Sequence, residues 1–247
     1  MKPSPTFLLI HGAGLGGWSW EYVREKLEAL GAKVLAPTLT GLRLSDTRSE
    51  PVPSLETHIE DVINVIEKEK LEDVILVGHS YAGMVITGVA DRKKGKIKRL
   101  VYLDAAVPND GDDFASHIPD ISDEAAAKRR LAFKSLSKDG YWIEPIAPEL
   151  GGISKPKDIE WVKQNAVAHP LRTWLDSIKF KTNGHLGIRK TYILATNPPT
   201  TIMGYPAQGA IAKRGEEWTY REVPCGHVAM IIEPQIITEL LMEAAYN

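Results

Sequence analysis

A serine in the first half of the sequence stands in a context that can make it the nucleophile of acyl transfer. The run VILVGHSYAG, residues 74–83, carries a buried apolar strand into Ser80, and a helix of small residues follows. A sharp strand–turn–helix connection needs small side chains two residues before and two after the nucleophile, and Gly78 and Ala82 meet that need. Because Ala82 replaces the usual second glycine, the motif G-x-S-x-A is a slightly relaxed nucleophile elbow. The elbow is favoured over the alternative, a serine that caps an ordinary helix.

Five stretches, taken in their order along the chain, resemble one enzyme superfamily over essentially the whole length. They are LLIHGAGLGGWSW (8–20), LAPTLTGL (35–42), VILVGHSYAGMVITGVADR (74–92), RLVYLDAAVPNDG (99–111) and CGHVAM (225–230). The set resembles the alpha/beta-hydrolase superfamily, and within it the small esterases that include plant methylesterases, hydroxynitrile lyases and bacterial pyrethroid-hydrolase-like carboxylesterases. The resemblance implies an α/β fold, a doubly wound and mostly parallel sheet with a helical cap inserted between two halves of the sheet.

The general base that the resemblance implies is His227. Of the seven histidines, it alone lies after the final predicted strand and before the final helix, where this superfamily places its base. The chain order is then nucleophile, acid, histidine, as this fold requires. His79 lies inside the elbow and is expected to point away, whereas His11 is expected to shape the first loop. The remaining four are expected to pack on the surface or in the cap: His58, His117, His169 and His185.

The acid of the triad is expected at Asp104, although the superfamily more often supplies it elsewhere. Its common place follows the strand that here reads Tyr192–Ala195, but the next residues, TNPPT (196–200), contain no carboxylate. Asp104 ends the fourth predicted strand, and haloalkane dehalogenases, which are similar in fold, place their acid at the corresponding strand end. There it would orient the imidazole of the base. The alternative is that Asp104 caps a helix or anchors a loop.

Two backbone N–H groups are needed to stabilise the negative charge that develops on the ester oxygen. One is expected from Tyr81, directly after the nucleophile at a helix N-terminus. The other is expected from the loop after the first strand, residues 11–14, where the similarity to methylesterases points to Ala13. The alternative is that this loop is only a tight turn.

These roles predict a serine hydrolase that cleaves a carboxylic ester through an acyl-enzyme on Ser80, with His227 as the base. Neither a cofactor nor a metal is expected, because no cluster of Cys, His and Asp has the spacing of metal ligands. A plant-type hydroxynitrile lyase would have a lysine and a threonine where Val228 and Gly12 stand, and a haloalkane dehalogenase would have a carboxylate at position 80. C–C, amide or hydroxynitrile-lyase-type chemistry on the same triad stays open, as does a small-molecule receptor of this fold.

The elements that must position these groups alternate along the chain. Short apolar runs bounded by turns predict six strands, at 7–10, 34–36, 74–77, 100–103, 192–195 and 218–223. Helical spacing predicts helices at 18–30, after Ser54, at 84–90 and from about 234 to 245. Such an alternation predicts a parallel sheet with helices on both faces, whose working groups lie at the carboxyl ends of the strands.

The alternation stops between residues 109 and 187, where no strand is predicted. We expect residues 1–108 and 188–247 to form the hydrolase core and residues 109–187 to form the helical cap. Aromatic residues are frequent in this stretch, among them Phe114, Phe133 and Trp174. They indicate an apolar or aromatic ester as substrate, or else they pack the cap itself.

Charge and cysteine content limit the partners and the compartment. The chain has 30 Lys and Arg against 32 Asp and Glu, a formal net charge of −2 that does not favour nucleic acid. The one basic run, residues 92–99, is expected to be a solvated connection. Cys225 alone cannot form an intrachain disulfide, and the apolar run at 7–10 is too short for a signal-peptide core or a membrane span. We therefore expect a cytoplasmic protein that binds a small-molecule ester and no membrane, with a homodimer left open.

Overall fold

A computed structural model describes residues 4–46, 48–183 and 185–246 of the chain. Its strands are β1 Thr6–Ile10, β2 Lys33–Leu35, β3 Val74–His79, β4 Ile97–Leu103, β5 Trp142–Ile143, β6 His169–Pro170, β7 Arg189–Ala195 and β8 Trp218–Val223. Its α-helices are α1 Glu21–Ala29, α2 Leu55–Lys68, α3 Ala82–Lys93, α4 Asp123–Ser135, α5 Pro156–Asn165, α6 Arg172–Leu175, α7 Tyr205–Arg214, α8 Ala229–Ile232 and α9 Pro234–Tyr246.

Six strands form one parallel sheet in the order β2-β1-β3-β4-β7-β8. The chain first moves outward from β1 to β2 and then returns to the other side of β1, so the order reverses between β1 and β3. Ile10 pairs with Gly78 across that boundary, and the loops after both strands therefore begin side by side. A crevice at such a reversal, outside the carboxyl ends of the strands, is where open α/β sheets bind ligands. The predicted doubly wound parallel sheet is confirmed.

Apolar side chains cover both faces of the sheet, as the continuous apolar runs of the strands require. Alternate residues of β1 point to opposite faces, Leu8 and Ile10 toward α2 and α3, Phe7 and Leu9 toward α1 and α9. The last strands follow the same rule, with α7 packed on the first face and α8 on the second. Helices on both faces bury the central strands β1, β3, β4 and β7, whereas the edge strands β2 and β8 stay partly exposed.

The local sequence determines where the helix α2 begins. Ser54 caps it by accepting a hydrogen bond from the Thr57 N–H, while the Thr57 hydroxyl accepts one from the Ser54 N–H. This reciprocal capping box satisfies two backbone donors that the first turn leaves without helical partners. The predicted N-cap at Ser54 is confirmed, and the apolar stripe of α2 lies against α3.

The segment between β4 and β7, residues 104–188, contributes none of its described residues to the main sheet. It holds α4, α5 and α6, together with an antiparallel pair of two-residue strands, β5 and β6, that the sequence did not predict. We call residues 104–188 the insertion. None of the described helices is both long and apolar enough to cross a membrane.

Candidate active site

Ser80 lies on a sharp turn between β3 and α3 with a backbone φ of 58°, in the left-handed region that a side chain rarely adopts. Three backbone hydrogen bonds hold it there. Its N–H donates to the Leu103 carbonyl at 3.2 Å, and its carbonyl accepts from the N–H groups of Gly83 and Ala106, both at 3.1 Å. Strain of this kind persists only where neighbouring structure fixes it, and here β4 and the start of α3 supply that support.

Two glycines make the turn possible by close packing. A Cβ on Gly78 would lie 2.9 Å from the carbonyl oxygen of Ala82, and a Cβ on Gly83 would lie 1.9 Å from the carbonyl oxygen of Ala106. Both neighbours are backbone atoms, which cannot swing aside as a flexible side chain does. The sequence reasoning identified the need at Gly78, but the tightest position is Gly83.

Asp104 follows β4 directly, and its carboxylate meets the imidazole of His227. The distance from Asp104 Oδ2 to His227 Nδ1 is 2.6 Å, between residues 123 positions apart. The other carboxylate oxygen accepts a hydrogen bond from the Ala195 N–H at 3.3 Å, and Asp104 is fully buried. Because Nδ1 donates to the carboxylate, the proton of the neutral ring lies on Nδ1 and Nε2 is left as its basic nitrogen.

The hydroxyl of Ser80 has one hydrogen-bond partner within the described part of the chain, the hydroxyl of Tyr205 at 3.1 Å. Tyr205 begins α7, and its ring is stacked on the imidazole of His227 with centroids 5.3 Å apart and planes 14° apart. Tyr205 thus contacts both Ser80 and His227. A bond between nucleophile and base is often loose without substrate and tightens when substrate binds.

Sequence reasoning missed Tyr205 entirely. It lies 125 residues after Ser80 and at the start of a helix that was not predicted. Residues 205–214 contain a proline and an internal glycine and lack a regular apolar stripe, so no local signal marks the helix or its first side chain.

His79 supports the loop that carries His227. Its Nε2 lies 3.0 Å from the carbonyl oxygen of His227, while its Nδ1 has no hydrogen-bond partner among the described residues. Nε2 therefore bears the proton and donates it to that carbonyl. Burial holds the pKa of His79 well below its usual value, so the ring stays neutral. The expectation that His79 points away from the site is wrong, since the two rings lie 4.5 Å apart.

The loop after β1 lies directly against Ser80. A Cβ on Gly12 would be 3.0 Å from the Cβ of Ser80 and 2.7 Å from Nδ1 of His79. His11 shapes this loop, as expected, by donating from Nδ1 to the Gly12 carbonyl at 2.9 Å and accepting at Nε2 from the Leu39 N–H at 3.1 Å. Burial lowers the pKa of His11 to about 4, which keeps Nε2 free to accept.

The backbone N–H groups of Ala13 and Tyr81 have no hydrogen-bond acceptor among the described residues. They stand in the two neighbouring loops that follow β1 and β3, the loops that Ile10 and Gly78 bring side by side. Tyr81 also stands at the N-cap of α3, where the helix dipole favours negative charge. The arrangement can therefore receive an anionic oxygen beside Ser80.

The side chain of Tyr81 reaches His58 on α2, whose Nδ1 lies 3.1 Å from the tyrosine hydroxyl and whose Nε2 lies 3.0 Å from the Thr40 carbonyl. His58 is fully buried, so its expected place on the surface or in the cap is wrong. The helical spacing of the apolar residues of α2 places His58 on their face, and this signal could have indicated its burial. His117 and His169 are buried in the insertion, and His185 is partly exposed there.

The insertion closes the site by bonding to both loops that flank Ser80. Gly14 of the first loop donates to Nδ1 of His169 at 3.3 Å and accepts from the Val167 N–H at 3.0 Å. On the other side, the Val228 N–H donates to the Gly151 carbonyl at 3.1 Å. The insertion therefore holds two loops next to Ser80. One is the loop after β1, which contains Gly12, and the other is the loop that contains His227.

Aromatic rings of the insertion pack beside Tyr81. The ring of Phe114 lies 5.9 Å from that of Tyr81 and 5.0 Å from that of Trp174, and Trp174 lies 4.8 Å from Phe133. The indole N–H of Trp174 is buried without a described hydrogen-bond partner. The described residues contain no group of three or more His, Cys, Asp or Glu that could hold a metal ion.

Comparisons with known proteins identify the family of this chain. The model of the alpha/beta hydrolase family matches residues 7–239. A carbendazim hydrolyzing esterase from a Nocardioides species is 39% identical over 239 residues, which cover 96% of this chain and 98% of the relative. Salicylic acid-binding protein 2 of Nicotiana tabacum is 26% identical over 100% of this chain and 99% of its own.

Solved structures show the same fold. A pyrethroid hydrolase from Sphingobium faniae superimposes with a TM-score of 0.77 at 21% identity, and the match covers 98% of each chain. An extracellular alpha/beta-hydrolase from a Paenibacillus species gives a TM-score of 0.80 at 24% identity, covering 98% of this chain and 100% of the other.

Proposed function

This chain belongs to the alpha/beta hydrolase family, and from that premise we propose that it is a serine hydrolase that cleaves carboxylic esters. The observation that carries the proposal is the contact of 2.6 Å between the Asp104 carboxylate and Nδ1 of His227. Both groups stand at the edge of the sheet that also carries Ser80 on its strained turn. A nucleophile, an orienting acid and a histidine base in this chain order constitute the triad of serine hydrolases of this fold. The relative named as an esterase at 39% identity supports the same reaction.

In the proposed acylation, Nε2 of His227 takes the proton of the Ser80 hydroxyl while Oγ attacks the ester carbonyl. The bond between Oγ and the carbonyl carbon forms, and the carbonyl oxygen takes up the negative charge. His227 then gives its proton to the leaving alcohol, and water hydrolyses the acyl-enzyme by the same steps. Asp104 holds the ring by its Nδ1 proton and stabilises the imidazolium that forms.

The proposed oxyanion hole consists of the N–H groups of Ala13 and Tyr81. Support for it comes from the absence of an acceptor for either group among the described residues and from the position of Gly12 against Ser80. Donors that are fixed before the reaction stabilise the transition state without reorganising, and each contributes on the order of 3 kcal/mol.

The proposed substrates are apolar or aromatic esters. Phe114 and Trp174 of the insertion supply aromatic surface next to Tyr81, whose backbone N–H is a proposed oxyanion donor. The name of the carbendazim hydrolyzing esterase makes carbendazim a direct test compound. The aromatic rings also pack on one another, so the substrate series should compare aryl with alkyl acyl groups of equal size.

A hydroxynitrile lyase of the plant type is disfavoured by the packing of Gly12. A threonine there would place its Cβ 2.7 Å from Nδ1 of His79 and 3.0 Å from the Cβ of Ser80. The position after His227 holds Val228, a buried aliphatic side chain that cannot carry the positive charge of a lysine. Hydrolysis needs neither residue.

The experiment that tests the proposal is a panel of p-nitrophenyl and aryl esters of varied chain length, with carbendazim included, run on wild type and Ser80→Ala. We expect turnover of activated esters by the wild type and a fall on the order of a millionfold in Ser80→Ala, since the triad acts as a unit. Ser80→Ala that kept a tenth of the wild-type rate would remove Ser80 from the mechanism.

A cytoplasmic location is also proposed. It is supported by the single cysteine, Cys225, which is buried and cannot form an intrachain disulfide. Fractionation of the source cells followed by immunoblotting tests it, and recovery of the protein outside the cytoplasm would contradict it.

A further inference from the structure

The hydroxyl of Tyr205 contacts the atom that would react. It lies 3.1 Å from Oγ of Ser80, and the tyrosine is fully buried at the start of α7. We infer that Tyr205 is a further catalytic residue, whose hydroxyl donates a hydrogen bond to Oγ of Ser80 as that oxygen loses its proton. The inference rests on the ester hydrolysis proposed above.

The hydroxyl of Tyr205 is the donor of this hydrogen bond when Ser80 reacts. Tyr205 and Ser80 each have one hydroxyl proton, and among the described residues the Tyr205 hydroxyl has Ser80 as its only partner. Reaction requires the Ser80 proton to move to Nε2 of His227, after which Oγ has no proton to donate. Tyr205 must then be the donor, because a buried hydroxyl left without a partner costs about 1–3 kcal/mol.

Tyr205 keeps its own proton during these steps. Burial raises the pKa of its hydroxyl well above the usual range, so the phenol stays protonated near neutral pH. The proton transferred in acylation is therefore that of Ser80 alone. The O–H bond of Ser80 breaks, the bond from Oγ to carbon forms, and Tyr205 contributes only a hydrogen bond.

The hydrogen bond from Tyr205 increases the rate because negative charge develops on Oγ of Ser80 during the reaction. The resting hydroxyl of Ser80 is neutral, whereas Oγ carries negative charge while its proton leaves and again when it departs from the acyl group. A hydrogen bond to a charged oxygen is roughly twice as strong as one to a neutral oxygen. The bond from Tyr205 is thus stronger in the transition state than in the ground state, which is the condition for catalysis.

The ring of Tyr205 has a second role that can be separated from that of the hydroxyl. It is stacked on the imidazole of His227 at an interplanar angle of 14°, and it limits the orientations available to the base. Tyr205→Phe removes the hydroxyl and keeps the ring. The comparison of Tyr205→Phe with wild type therefore isolates the hydrogen bond to Oγ.

Tyr102 provides a matched control. It is equally buried, and its hydroxyl bonds to one side-chain hydroxyl, that of Thr87 at 2.8 Å. Tyr102 lies on β4 and packs against Trp218, outside the proposed site. Tyr102→Phe therefore reproduces the loss of a buried tyrosine hydroxyl without touching Ser80.

The test measures kcat and KM with p-nitrophenyl acetate and the second-order rate of labelling by a fluorophosphonate, for wild type, Tyr205→Phe, Tyr102→Phe and Ser80→Ala. We expect kcat and the labelling rate to fall by about 10- to 100-fold in Tyr205→Phe with KM almost unchanged, which is less than the roughly 10²- to 10³-fold loss caused by removing a donor to the full oxyanion, because Oγ carries only part of the charge. Tyr102→Phe should match wild type in both rates. Thermal melting of each variant establishes that it is folded.

The outcomes separate the two proposals. A fall of about fivefold or more in both rates that is confined to Tyr205→Phe supports the donor role. A smaller fall, or an equal fall in Tyr102→Phe, overturns it while leaving ester hydrolysis by Ser80 intact. Ester turnover that persists in Ser80→Ala overturns the proposed function itself.

Discussion

At the scale of single residues, the position of β4 explains why the proposed triad acid, Asp104, follows that strand. β4 stands between β3, which leads to Ser80, and β7, so the carboxyl end of β4 is close to Ser80 and to the loop of His227. The strand that follows in the sheet ends without a carboxylate, and the backbone N–H of Asn197 there donates to the Cys225 carbonyl. Asp104 is therefore the carboxylate bonded to His227 in the described structure.

Asp104→Asn should nearly abolish turnover while the fold persists. An amide NH₂ that faces Nδ1 would favour the wrong tautomer of His227, and in the best-studied triad this change lowers kcat by roughly 10⁴. Steady-state kinetics with an aryl ester measure the loss. Asp91→Asn is the matched control, because Asp91 is also a buried carboxylate that accepts backbone hydrogen bonds, from Lys181 and Thr182. If Asp104→Asn retained more than a tenth of the wild-type rate, Asp104 would be a loop anchor only.

At the scale of elements, most strands could be predicted because their apolar runs are long and flanked by turns. The predicted strands are shorter than β4 and β7, because charged residues such as Lys98 and Lys190 lie near the start of each strand. Lys190 is nonetheless buried, with its ammonium group 5.7 Å from the ring centroid of Trp218. The local hydrophobicity of the sequence does not indicate tertiary contacts of this kind. The sequence also does not predict α7, because the helix lacks a regular apolar stripe.

The turn at Ser80 depends on the contact between α3 and the chain after β4. Gly83→Ala would force a methyl group to within 1.9 Å of the Ala106 carbonyl oxygen. We expect the free energy of unfolding to fall by about 3 kcal/mol or more, at or beyond the upper end for overpacked sites. Urea denaturation measures it. Gly95→Ala is the control, because its added methyl group meets nothing within 4 Å, and it should leave stability unchanged or slightly higher.

Equal stability of Gly83→Ala and Gly95→Ala would contradict the packing described for the elbow. Where Gly83→Ala folds with the expected loss of stability, its ester turnover should fall as well. The added methyl group would displace Ala106, whose N–H donates one of the hydrogen bonds that hold the carbonyl of Ser80.

At the scale of the whole molecule, buried neutral histidines join distant loops: His169 joins the insertion to the loop after β1, and His11 joins that loop to the one after β2. His169 accepts from the Gly14 N–H at Nδ1, and His11 accepts from the Leu39 N–H at Nε2. Protonation would remove either acceptor, and burial lowers the pKa of His169 well below its usual value and that of His11 to about 4. None of this follows from the sequence, because the partners of both rings are distant backbone amides.

Stability should therefore fall as pH decreases from about 6.5 toward 4. In that interval the unfolded chain takes up protons on these histidines and the folded chain does not, so lower pH favours unfolding. For His11 the loss at pH 5 is roughly 2 kcal/mol. Urea denaturation at pH 7 and pH 5 measures the change, and His11→Gln, which removes one such group, should reduce it. Equal free energies of unfolding at the two pH values would contradict the assignment of neutral buried histidines.

Ser80 is the proposed nucleophile and His227 its proposed base. The most direct measurement is labelling of the wild-type protein with a fluorophosphonate, followed by mass spectrometry of its peptides, with Ser80→Ala and His227→Ala treated in parallel. We predict one phosphonyl group on Ser80 in the wild type, none in Ser80→Ala, and labelling of His227→Ala that is slower by several orders of magnitude. Modification of a different residue, or labelling of His227→Ala at the wild-type rate, would contradict the account.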